Sequence, residues 1–514
     1  MARYKYYSYA QGQLIPVIFS KQIQSGTFEF TLNHLIDNEL DVTCFDNRFR
    51  NDETGAPAFD PRLLLKIILF AYSRGITSSR KIAQCCRENV TFMALSANSR
   101  PHFTTIADFI SSMDKEAVAI FREVLLLCDD MGLIGKEMFA IDGCKLPSNA
   151  SKEWSGTRAD FKKKAIKMEQ AIESMVKRHH VSDQDQSEET VSDGKYLETL
   201  RKRLAKIRNW LDENDDKPGK TGKPRKSNMT DNESATMKTS RGVIQGYNGV
   251  TAVDGKHQVI VHASAFGQGQ EQDLLEPMIE GVRENFQAIG KEENIFSDTK
   301  LSADSGFHSA KNMEMLYGQQ IDAYVADTLF RKRDPRFADV DRYKERSRQE
   351  RRKRFGHSRL FATEDFTFAP DLSYCICPAG KRLYRSGGNV VTQGLRSVRF
   401  KGPKSACVPC LLRAQCLRNP ERSEIRQVAY FHGRTEKAKD SCIEKMKRKI
   451  DSAVGRAMYS MRLAIAEPPF AHICRMMGLN RFTMRGKKKV NSQWRMFCIL
   501  HNLKKLHRYG EGFA

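Results

Sequence analysis

The chain has 514 residues, enough for about three domains, and its 85 lysines and arginines against 62 aspartates and glutamates give a formal net charge of +23. An excess of this size favours a polyanionic partner, because every phosphate that a protein neutralises releases condensed counterions. The start MARYKYYSYAQGQ lacks the apolar core of a secretory signal, and the most apolar run, LLLKIILFAY, is broken by Lys66. The sequence therefore argues against a membrane protein and predicts a cytoplasmic one.

The first part of the chain is predicted to be helical. Asp60 and Pro61 occupy the cap and first-turn positions of a helix that carries LLLKIILFAYS, and Gly75 follows it. A second helix with RKIAQCCRE is predicted to begin at Ser78 or Ser79. Two short helices around a glycine turn are compatible with a helix-turn-helix DNA reader, although ordinary helical packing is the commoner use of this pattern.

The next part changes from a strand pattern to a helical one. The run MFAI predicts a buried strand that ends in the carboxylate of Asp142. After it, apolar residues at steps of three and four predict two helices, which the polar stretch 181–194 joins as an antiparallel hairpin. These apolar positions are Phe161, Ala165, Met168, Ile172, Met175, Leu197, Leu200, Leu204, Ile207 and Leu211. Residues 158–216 hold 13 basic and 13 acidic residues, so the hairpin is a poor candidate for the main nucleic-acid surface.

Strand patterns return in the second half. The segment GVTAVDGKHQVIVHASA at 249–265 predicts two strands around the turn formed by Asp254 and Gly255, and a helix follows. Asp304 comes just after a short apolar stretch, in SADSGF. Residues 360–424 are rich in short β-like pieces, glycine and cysteine, and the remainder of the chain is helical and basic.

Three carboxylates stand at the ends of apolar elements or on a helix: Asp142, Asp304 and Glu467. Acids that converge from several elements are the oxygen ligands that a two-Mg²⁺ phosphoryl-transfer site requires, although a turn or a cap explains each acid taken singly. Tyr459, Arg462 and Glu467 fall within an arc of about 140° on one helix. Arg462 is well suited to hold a DNA phosphate beside a metal-bound acid. The alternative is an intrahelical ion pair with Tyr459 as an aromatic anchor.

The thirteen cysteines are an odd number spread over the chain, which does not suggest a disulfide framework. Five of them lie between positions 375 and 416. Four fit a structural zinc site built from two knuckle-like pieces, namely Cys377, Cys407, Cys410 and Cys416. Reduced thiols without a metal are the alternative. His308, four positions after Asp304, is expected to lie beside the metal ligands or at the surface rather than to bind metal.

Two basic tracts account for most of the excess charge. Residues 331–359 carry a net charge of +8, and residues 471–514 carry +9. Both are predicted to contact DNA, although a solvated charged helix is the alternative for each. In the second tract the candidate DNA-binding residues, beside Tyr459 and Arg462, are Arg475, Arg481, Arg485, Lys487 and Lys488. The aromatic residues nearby, available for stacking or packing, are Phe355, Phe482 and Trp494.

Taken in order, several motifs resemble those of the DDE transposases of bacterial insertion sequences, close to the insertion-sequence-1182 type with an InsH-like amino-terminal domain. The motifs are FDPRLLLKIILFAYSRGITSSRKIA, IDGCKLPSNAS, MKTSRGVIQGYNGVTAVD, SADSGFHS, the Cys segment, and YSMRLAIAEPPF through HNLKKL. The family's Cys segment also has CPxG followed by CxxC, which supports the zinc tetrad and leaves Cys375 as the extra cysteine.

This resemblance implies an α/β fold with an RNase H-like mixed-sheet core, and Asp142, Asp304 and Glu467 as its metal-binding DDE triad. The implied parts are a helical domain at 1–135, a core at 136–157, 229–330 and 425–514, a helical hairpin and linker at 158–228, and a basic, Cys-rich insertion at 331–424. The implied activity is cleavage of transposon ends and joining of the 3′-hydroxyl to target DNA. Mg²⁺ or Mn²⁺, structural Zn²⁺, double-stranded DNA and a homodimer or higher oligomer in the synaptic complex are the implied cofactors and partners. The implied location is the bacterial cytoplasm, on the nucleoid when DNA is bound.

One position departs from the family pattern. Related transposases carry a lysine seven positions after the glutamate, and here that residue is Cys474, with Arg475 beside it. The change leaves the metal ligands intact but affects how the transposon end is held. Two alternative functions therefore remain: a transposase-derived DNA-binding protein without activity, and a metal-dependent DNA nuclease.

Overall fold

The computed structural model describes residues 16–48, 57–181, 188–219, 222, 224–240, 242–291, 294–337, 360–392, 395–432 and 441–512. Its helices are α1 (Phe28–His34), α2 (Pro61–Ser73), α3 (Ser79–Glu88), α4 (Val90–Leu95), α5 (Phe103–Ser112), α6 (Asp114–Asp130), α7 (Arg158–Val181), α8 (Glu188–Glu213), α9 (Leu275–Ala288), α10 (Ala310–Gly318), α11 (Phe330–Arg333), α12 (Lys404–Cys407), α13 (Arg413–Cys416), α14 (Cys442–Asp451), α15 (Ala453–Ala471) and α16 (Lys487–Tyr509). Among these, none is both long enough and apolar enough to cross a membrane.

The strands are β1 (Met138–Pro147), β2 (Ser155–Gly156), β3 (Ser227–Asn228), β4 (Ala235–Thr239), β5 (Gly242–Asp254), β6 (Ile260–Phe266), β7 (Lys300–Ala303), β8 (Ala323–Val325), β9 (Thr367–Phe368), β10 (Tyr374–Ile376), β11 (Arg382–Thr392), β12 (Leu395–Lys401) and β13 (Gln427–Phe431). The chain divides into two compact units. The first is Met1–Val325 with Ala457–Ala514, and the second is Ala326–Arg456.

A mixed sheet forms the centre of the first unit. The long strand β5 pairs antiparallel with β1 on one side and with β4 and β6 on the other. Beyond β1 the sheet continues through β7 to β8, and these three strands are parallel. The unit is therefore mixed α/β, as the sequence predicts, and two of its neighbouring parallel strands carry the regions of Asp142 and Asp304.

Strand β1 does not end at Asp142, contrary to the prediction. It continues to Pro147, because residues from Asp142 onward still pair with β5, as in the contact of Asp142 with Thr251. The parallel pairing with β7 does stop at Ile141, which lies opposite Ala303. The pattern MFAI thus marks the end of the parallel ladder rather than the end of the strand.

Helix α16 packs along the outer strand β6. Two asparagines of the helix bond the free backbone groups of that strand, since Asn502 receives a hydrogen bond from the Ile260 amide at 2.9 Å and Asn491 receives one from the Ala265 amide at 2.7 Å. Their amide groups donate back to the carbonyls of the same two residues. Buried asparagines here satisfy the unpaired edge of the sheet, as a further strand otherwise does.

The amino-terminal helices follow the predicted boundaries. Asp60 caps α2 by accepting a hydrogen bond from the Arg62 amide at 2.8 Å, Pro61 is its first residue, and α3 begins at Ser79. Helix α2 is buried on nearly all sides. On one side the ring of its Tyr72 stacks on Phe497 of α16, with the ring centres 4.5 Å apart. Helix α2 is therefore part of the core of the first unit.

Helices α7 and α8 form the predicted antiparallel hairpin. Phe161 meets Trp210 edge to face at 4.6 Å, and Glu169 pairs with Arg208 at 2.7 Å. The shared core consists of Phe161, Ala165, Leu204, Ile207 and Trp210. The structure begins α8 at Glu188, within the stretch predicted to be the connection, and residues 182–187 of that stretch lie outside the described part of the chain.

The second unit is built on an antiparallel sheet in the order β13, β12, β11, β10, β9. Cys375 is fully buried in its hydrophobic core, beside Phe400 and Val428. The family resemblance predicts that residues from 425 onward belong to the catalytic core, but β13 pairs with β12 because Val428 and Tyr430 alternate onto the buried face of this sheet. Of the first basic tract, residues 338–359 lie outside the described residues.

Candidate active site

Asp142 and Asp304 lie side by side in the first unit. Their strands β1 and β7 are parallel neighbours, and the last pair in register is Ile141 with Ala303. Asp142 is the next residue of β1, and Asp304 is the first residue after β7. Because parallel strands present their carboxyl ends at one edge of the paired region, the two carboxylates converge.

The carboxylate of Asp142 is mostly buried and in contact with a cation. One of its oxygens accepts a hydrogen bond from the Gly143 amide at 2.8 Å, and the other accepts one from Nη1 of Arg462 at 2.5 Å. Burial nevertheless raises the pKa of Asp142 to about 6, against the opposing effects of Arg462 and the Gly143 amide. The negative charges of Asp304 and Glu271 add to the rise. Asp142 and Asp304 together therefore hold more negative charge than Arg462 neutralises.

Arg462 and Tyr459 project from α15 onto these acids. Arg462 is only 6% exposed, and its Nη2 lies 3.3 Å from Asp304. The Tyr459 hydroxyl donates to Asp304 at 3.5 Å, and the guanidinium lies 5.6 Å from the centre of the tyrosine ring. Arg462 thus pairs with Asp142 and Asp304 from other elements, and the alternative of an intrahelical ion pair with Glu467 is not what the structure shows.

Glu467 occupies a different environment on the same helix. Its side chain is exposed and forms no hydrogen bond or ion pair with another described residue. Pro468 follows it, and because proline has no amide hydrogen, the carbonyl of Ala464 receives its hydrogen bond from the Gln258 side chain at 3.1 Å. Of the residues predicted for the site, the structure brings together Asp142, Asp304, Tyr459 and Arg462, with Glu467 further along the helix that carries two of them.

A fourth acid near the site was not predicted. Glu271 begins a short 3₁₀ turn after β6 and is 13% exposed. Its carboxylate lies 3.3 Å from Nζ of Lys145 and accepts a hydrogen bond from Asn248 at 3.3 Å. It also packs against the backbone of Gly306, where a Cβ atom would lie 2.0 Å from the carboxylate oxygen. The available signal was an acid directly after a strand, but the polar run GQGQEQD around it resembles an ordinary loop.

Cys474, at the position of the family lysine, lies beside strand β1. Its thiol interacts with that of Cys144. This interaction and burial raise the pKa of Cys144, while the same interaction lowers the pKa of Cys474. Cys144 is two residues beyond Asp142, so residue 474 reaches the strand that carries a predicted metal ligand.

The remaining candidate DNA-binding residues, Arg475, Arg481, Arg485, Lys487 and Lys488, are exposed. Arg481 and Arg485 both bond Asn149 in the segment after β1, at 3.1 and 2.5 Å. The aromatic residues of this region do not take part in an open surface, because Phe482 and Trp494 are fully buried and pack inside the unit. They are therefore packing groups rather than stacking platforms, and Phe355 lies outside the described residues.

In the second unit, the four cysteines predicted to bind zinc line one small cavity of about 30 Å³. The first, Cys377, starts a tight turn in which the Lys381 amide lies 3.3 Å from its sulfur and Gly380 has a positive φ of 71°. Amide-to-sulfur bonds of this kind are typical of knuckles that present a thiolate to a metal. Arg413 and Arg426 tie the surrounding loops by bonding the carbonyls of Cys407 and Cys416, at 3.0 and 2.8 Å.

Within the described residues, no three His, Cys, Asp or Glu side chains are already arranged to hold a metal ion. The donor sets nevertheless match the predicted metals in chemistry. Two hard carboxylates converge on a buried cation in the first unit, and four thiols face one cavity in the second.

Two family models match the chain. A transposase DDE domain covers residues 376–507, and a transposase domain of the family DUF772 covers residues 17–112. Two parts of the chain therefore match transposase domains, and the second of them is a DDE domain. This order of the two domains is typical of the types represented by insertion sequences 4 and 1182, which confirms the resemblance. No curated protein matches the chain.

Replacing Arg462 with glutamine is expected to lower the free energy of unfolding by about 3 kcal/mol at pH 8, because the mostly buried carboxylate of Asp142 loses its cation and the half-buried Asp304 loses a neighbouring one. Without Arg462 the pKa of Asp142 should rise above its present value of about 6. An acid whose pKa is raised by folding stabilises the protein below its unfolded pKa and loses that contribution as the pH rises through the folded pKa. The loss should therefore be smaller at pH 5, which urea unfolding at the two pH values will measure.

The exposed Arg475 provides a matched control for this change. Arg475→Gln removes the same charge from a neighbouring segment and should alter stability by no more than about 0.5 kcal/mol. An equal loss for Arg462→Gln at both pH values would show that its charge is not what stabilises the site.

Proposed function

We propose that this transposase cleaves the ends of its element and joins the freed 3′-hydroxyl to target DNA by two-metal phosphoryl transfer at Asp142, Asp304 and Glu467. The observation that carries the proposal is the convergence of Asp142 and Asp304 on one buried cation, Arg462. The sheet supports an RNase H-like core, since its three parallel strands β1, β7 and β8 adjoin an antiparallel β5 and β6. Two acids at the ends of adjacent parallel strands are what such a core offers.

Asp142 and Asp304 are the residues that would hold Mg²⁺ or Mn²⁺, with Glu467 as the third ligand. Bound there, divalent cations would activate water or the 3′-hydroxyl and stabilise the leaving oxygen of the phosphodiester. The chain's own groups prepare the site for this charge. Arg462 reduces the repulsion between the two aspartates, and Tyr459 orients Asp304 by its hydrogen bond. Nε of Arg462 has no hydrogen-bond partner among the described residues, and a phosphate oxygen is an acceptor that matches it.

The third acid is tested by comparing two glutamates. Glu467→Gln is expected to abolish cleavage, because an amide replaces a charged ligand of the metal without changing the size of the side chain. Glu271→Gln, which alters an acid already paired with Lys145 and Asn248, should reduce the rate less. The cleavage rates of the two variants in Mg²⁺ decide which glutamate is the third metal ligand. A larger loss of rate in Glu271→Gln than in Glu467→Gln would assign that position to Glu271.

The surface proposed to bind transposon ends consists of the exposed residues Arg475, Arg481, Arg485, Lys487 and Lys488. Long cations that reach solvent beside an acidic site bind the phosphate backbone without sequence preference. We also propose a structural zinc ion in the second unit and a homodimer or higher oligomer when two ends are held together. DNA binding would place the protein on the bacterial nucleoid.

A transposase-derived DNA-binding protein without activity is the second candidate, and Cys474 is the observation that favours it. The residue there cannot contact a phosphate as the family lysine does, because a cysteine side chain is short and has no ammonium group. An assay of end cleavage and joining in Mg²⁺, on DNA ends taken from inverted repeats beside the gene, separates the candidates. A joined product supports the transposase, cleavage without joining indicates a nuclease, and binding alone indicates the inactive form.

A further inference from the structure

A basic cavity of about 570 Å³ lies in the first unit, and none of the residues that line it belongs to the exposed set just described. One face of α16 forms much of its wall, because His501, Lys504, Lys505 and Arg508 follow a spacing of three, four and seven residues. Gln258, Pro468 and His472 from other elements also line it.

Among the described residues that line the cavity, none is an acid that could neutralise its three cations. The lining contains no aspartate or glutamate, and Lys504, Lys505 and Arg508 form no ion pair with any residue that the structure describes. Lys504 lies 5.2 Å from the centre of the Phe28 ring, and Arg508 lies 5.4 Å from that of Tyr509. Burial lowers the pKa of Lys504 and Lys505, and the charges of Arg74 and Arg508 lower them further. A bound anion would relieve this uncompensated positive charge.

Hydrogen bonds hold the polar groups of the cavity in place. The Gln258 side chain accepts a hydrogen bond from Lys505 at 3.1 Å and donates one to the Ala464 carbonyl of α15. The Gln258 carbonyl lies 2.9 Å from Nε2 of His501, and because a carbonyl only accepts, Nε2 carries the proton. Nδ1 of His501 therefore accepts from Nδ1 of His472, 2.9 Å away. Nε2 of His472 is then the nitrogen without a proton.

These two histidines are neutral at physiological pH. Burial lowers the pKa of His501 to about 3 and that of His472 to about 4. His472 and His501 therefore add no positive charge to that of the lysines and the arginine. These two histidines contribute a fixed polar wall rather than further repulsion.

We propose that this cavity binds a backbone phosphate of DNA. Lys and Arg side chains that share one open cavity and form no ion pair with a described residue match the charge and the acceptor oxygens of a phosphodiester. Pro468, which lines the cavity, directly follows Glu467, so a strand held here would run beside the helix that carries the proposed third acid. The inference rests on the proposed function, which requires DNA at this site, and it adds a contact surface beyond the tract at Arg475 to Lys488.

The test measures duplex affinity of the full-length protein over a range of salt concentrations. In the double variant Lys504→Gln, Lys505→Gln, affinity at low salt should fall about tenfold. The slope of log affinity against log salt should fall by about 1 for each phosphate contact that is lost. Lys162→Gln, Lys163→Gln removes two exposed adjacent lysines from α7 and should leave both values near wild type. Arg508→Gln, a change at an exposed residue, tests the same cavity if the double variant fails to fold.

The following results would overturn the assignment. Wild-type affinity and slope in the folded double variant, or in Arg508→Gln, would show that no DNA phosphate binds here. Saturable thermal stabilisation by inorganic phosphate that the double variant loses, with an unchanged DNA slope, would assign the cavity to free phosphate instead. If the wild-type protein binds no duplex, the proposed function is contradicted as well. If the wild-type protein cleaves and joins DNA but the double variant keeps the wild-type DNA affinity and salt slope, only this inference is contradicted.

Discussion

Asparagine in place of Asp304 is expected to abolish cleavage and strand transfer while DNA affinity stays near that of the wild type. Asparagine keeps the size of the side chain and an oxygen that accepts the hydrogen bond from Tyr459, but it removes the charge that a divalent cation requires. Metal stabilisation of the transition state contributes several kcal/mol, and about 1.4 kcal/mol corresponds to a factor of ten. The rate should therefore fall about a thousandfold or more, and Asp142→Asn should behave in the same way.

The measurement is the cleavage rate on an end-containing duplex in Mg²⁺, with affinity determined separately by fluorescence anisotropy. Asp298→Asn is the matched control, because Asp298 is an exposed acid just before β7 and lies outside the proposed site. It should cleave at the wild-type rate. Cleavage retained by Asp304→Asn would remove this residue from the triad, and a parallel loss of affinity would show that the change disturbs folding instead.

The second large effect is expected at the cysteine cavity. Purified protein should contain one zinc ion per chain, and the variant Cys377→Ser, Cys410→Ser should lose it. Zinc contributes about 10–16 kcal/mol to the folding of small zinc-binding peptides at neutral pH. Loss of the ion should therefore unfold the loops around α12 and α13, because the sheet beside them has only a small core. Metal analysis and thermal unfolding will measure the two consequences.

Cys442→Ser is the control for this experiment. Cys442 lies in the same unit but does not line the cavity, so its replacement should leave both zinc content and stability unchanged. Wild-type protein without zinc and a double variant of unchanged stability would together contradict the metal site. The four residues would then be reduced thiols.

Local features of the sequence predicted much of the fold. The cap at Asp60, the turn at Asp254 and the apolar periodicity of α7 and α8 depend on neighbouring residues, and the structure has these elements where they were expected. The pairing of strands that are distant in the sequence could not be predicted in this way. The extension of β1 to Pro147 depends on β5, about a hundred residues later in the chain, and no local signal reports it.

The same difference between local and long-range features applies to the candidate active site. Asp142 and Asp304 were identified because each follows an apolar stretch, but their common partner Arg462 is defined only by the packing of α15. Glu271 was missed because its contacts with Lys145 and Asn248 come from other strands. The buried positions of Phe482 and Trp494 were equally invisible, since an aromatic residue in a basic tract has the same local pattern whether it packs or stacks.

The most direct test of the account is a joining assay with a pre-cut transposon end that carries a free 3′-hydroxyl, a second duplex and Mg²⁺. We expect the wild-type protein to join the end to the second duplex without a covalent protein–DNA intermediate. We expect Asp304→Asn to give no joined product while it still binds the end. Cleavage without joining by the wild type, or joining by Asp304→Asn, would contradict it.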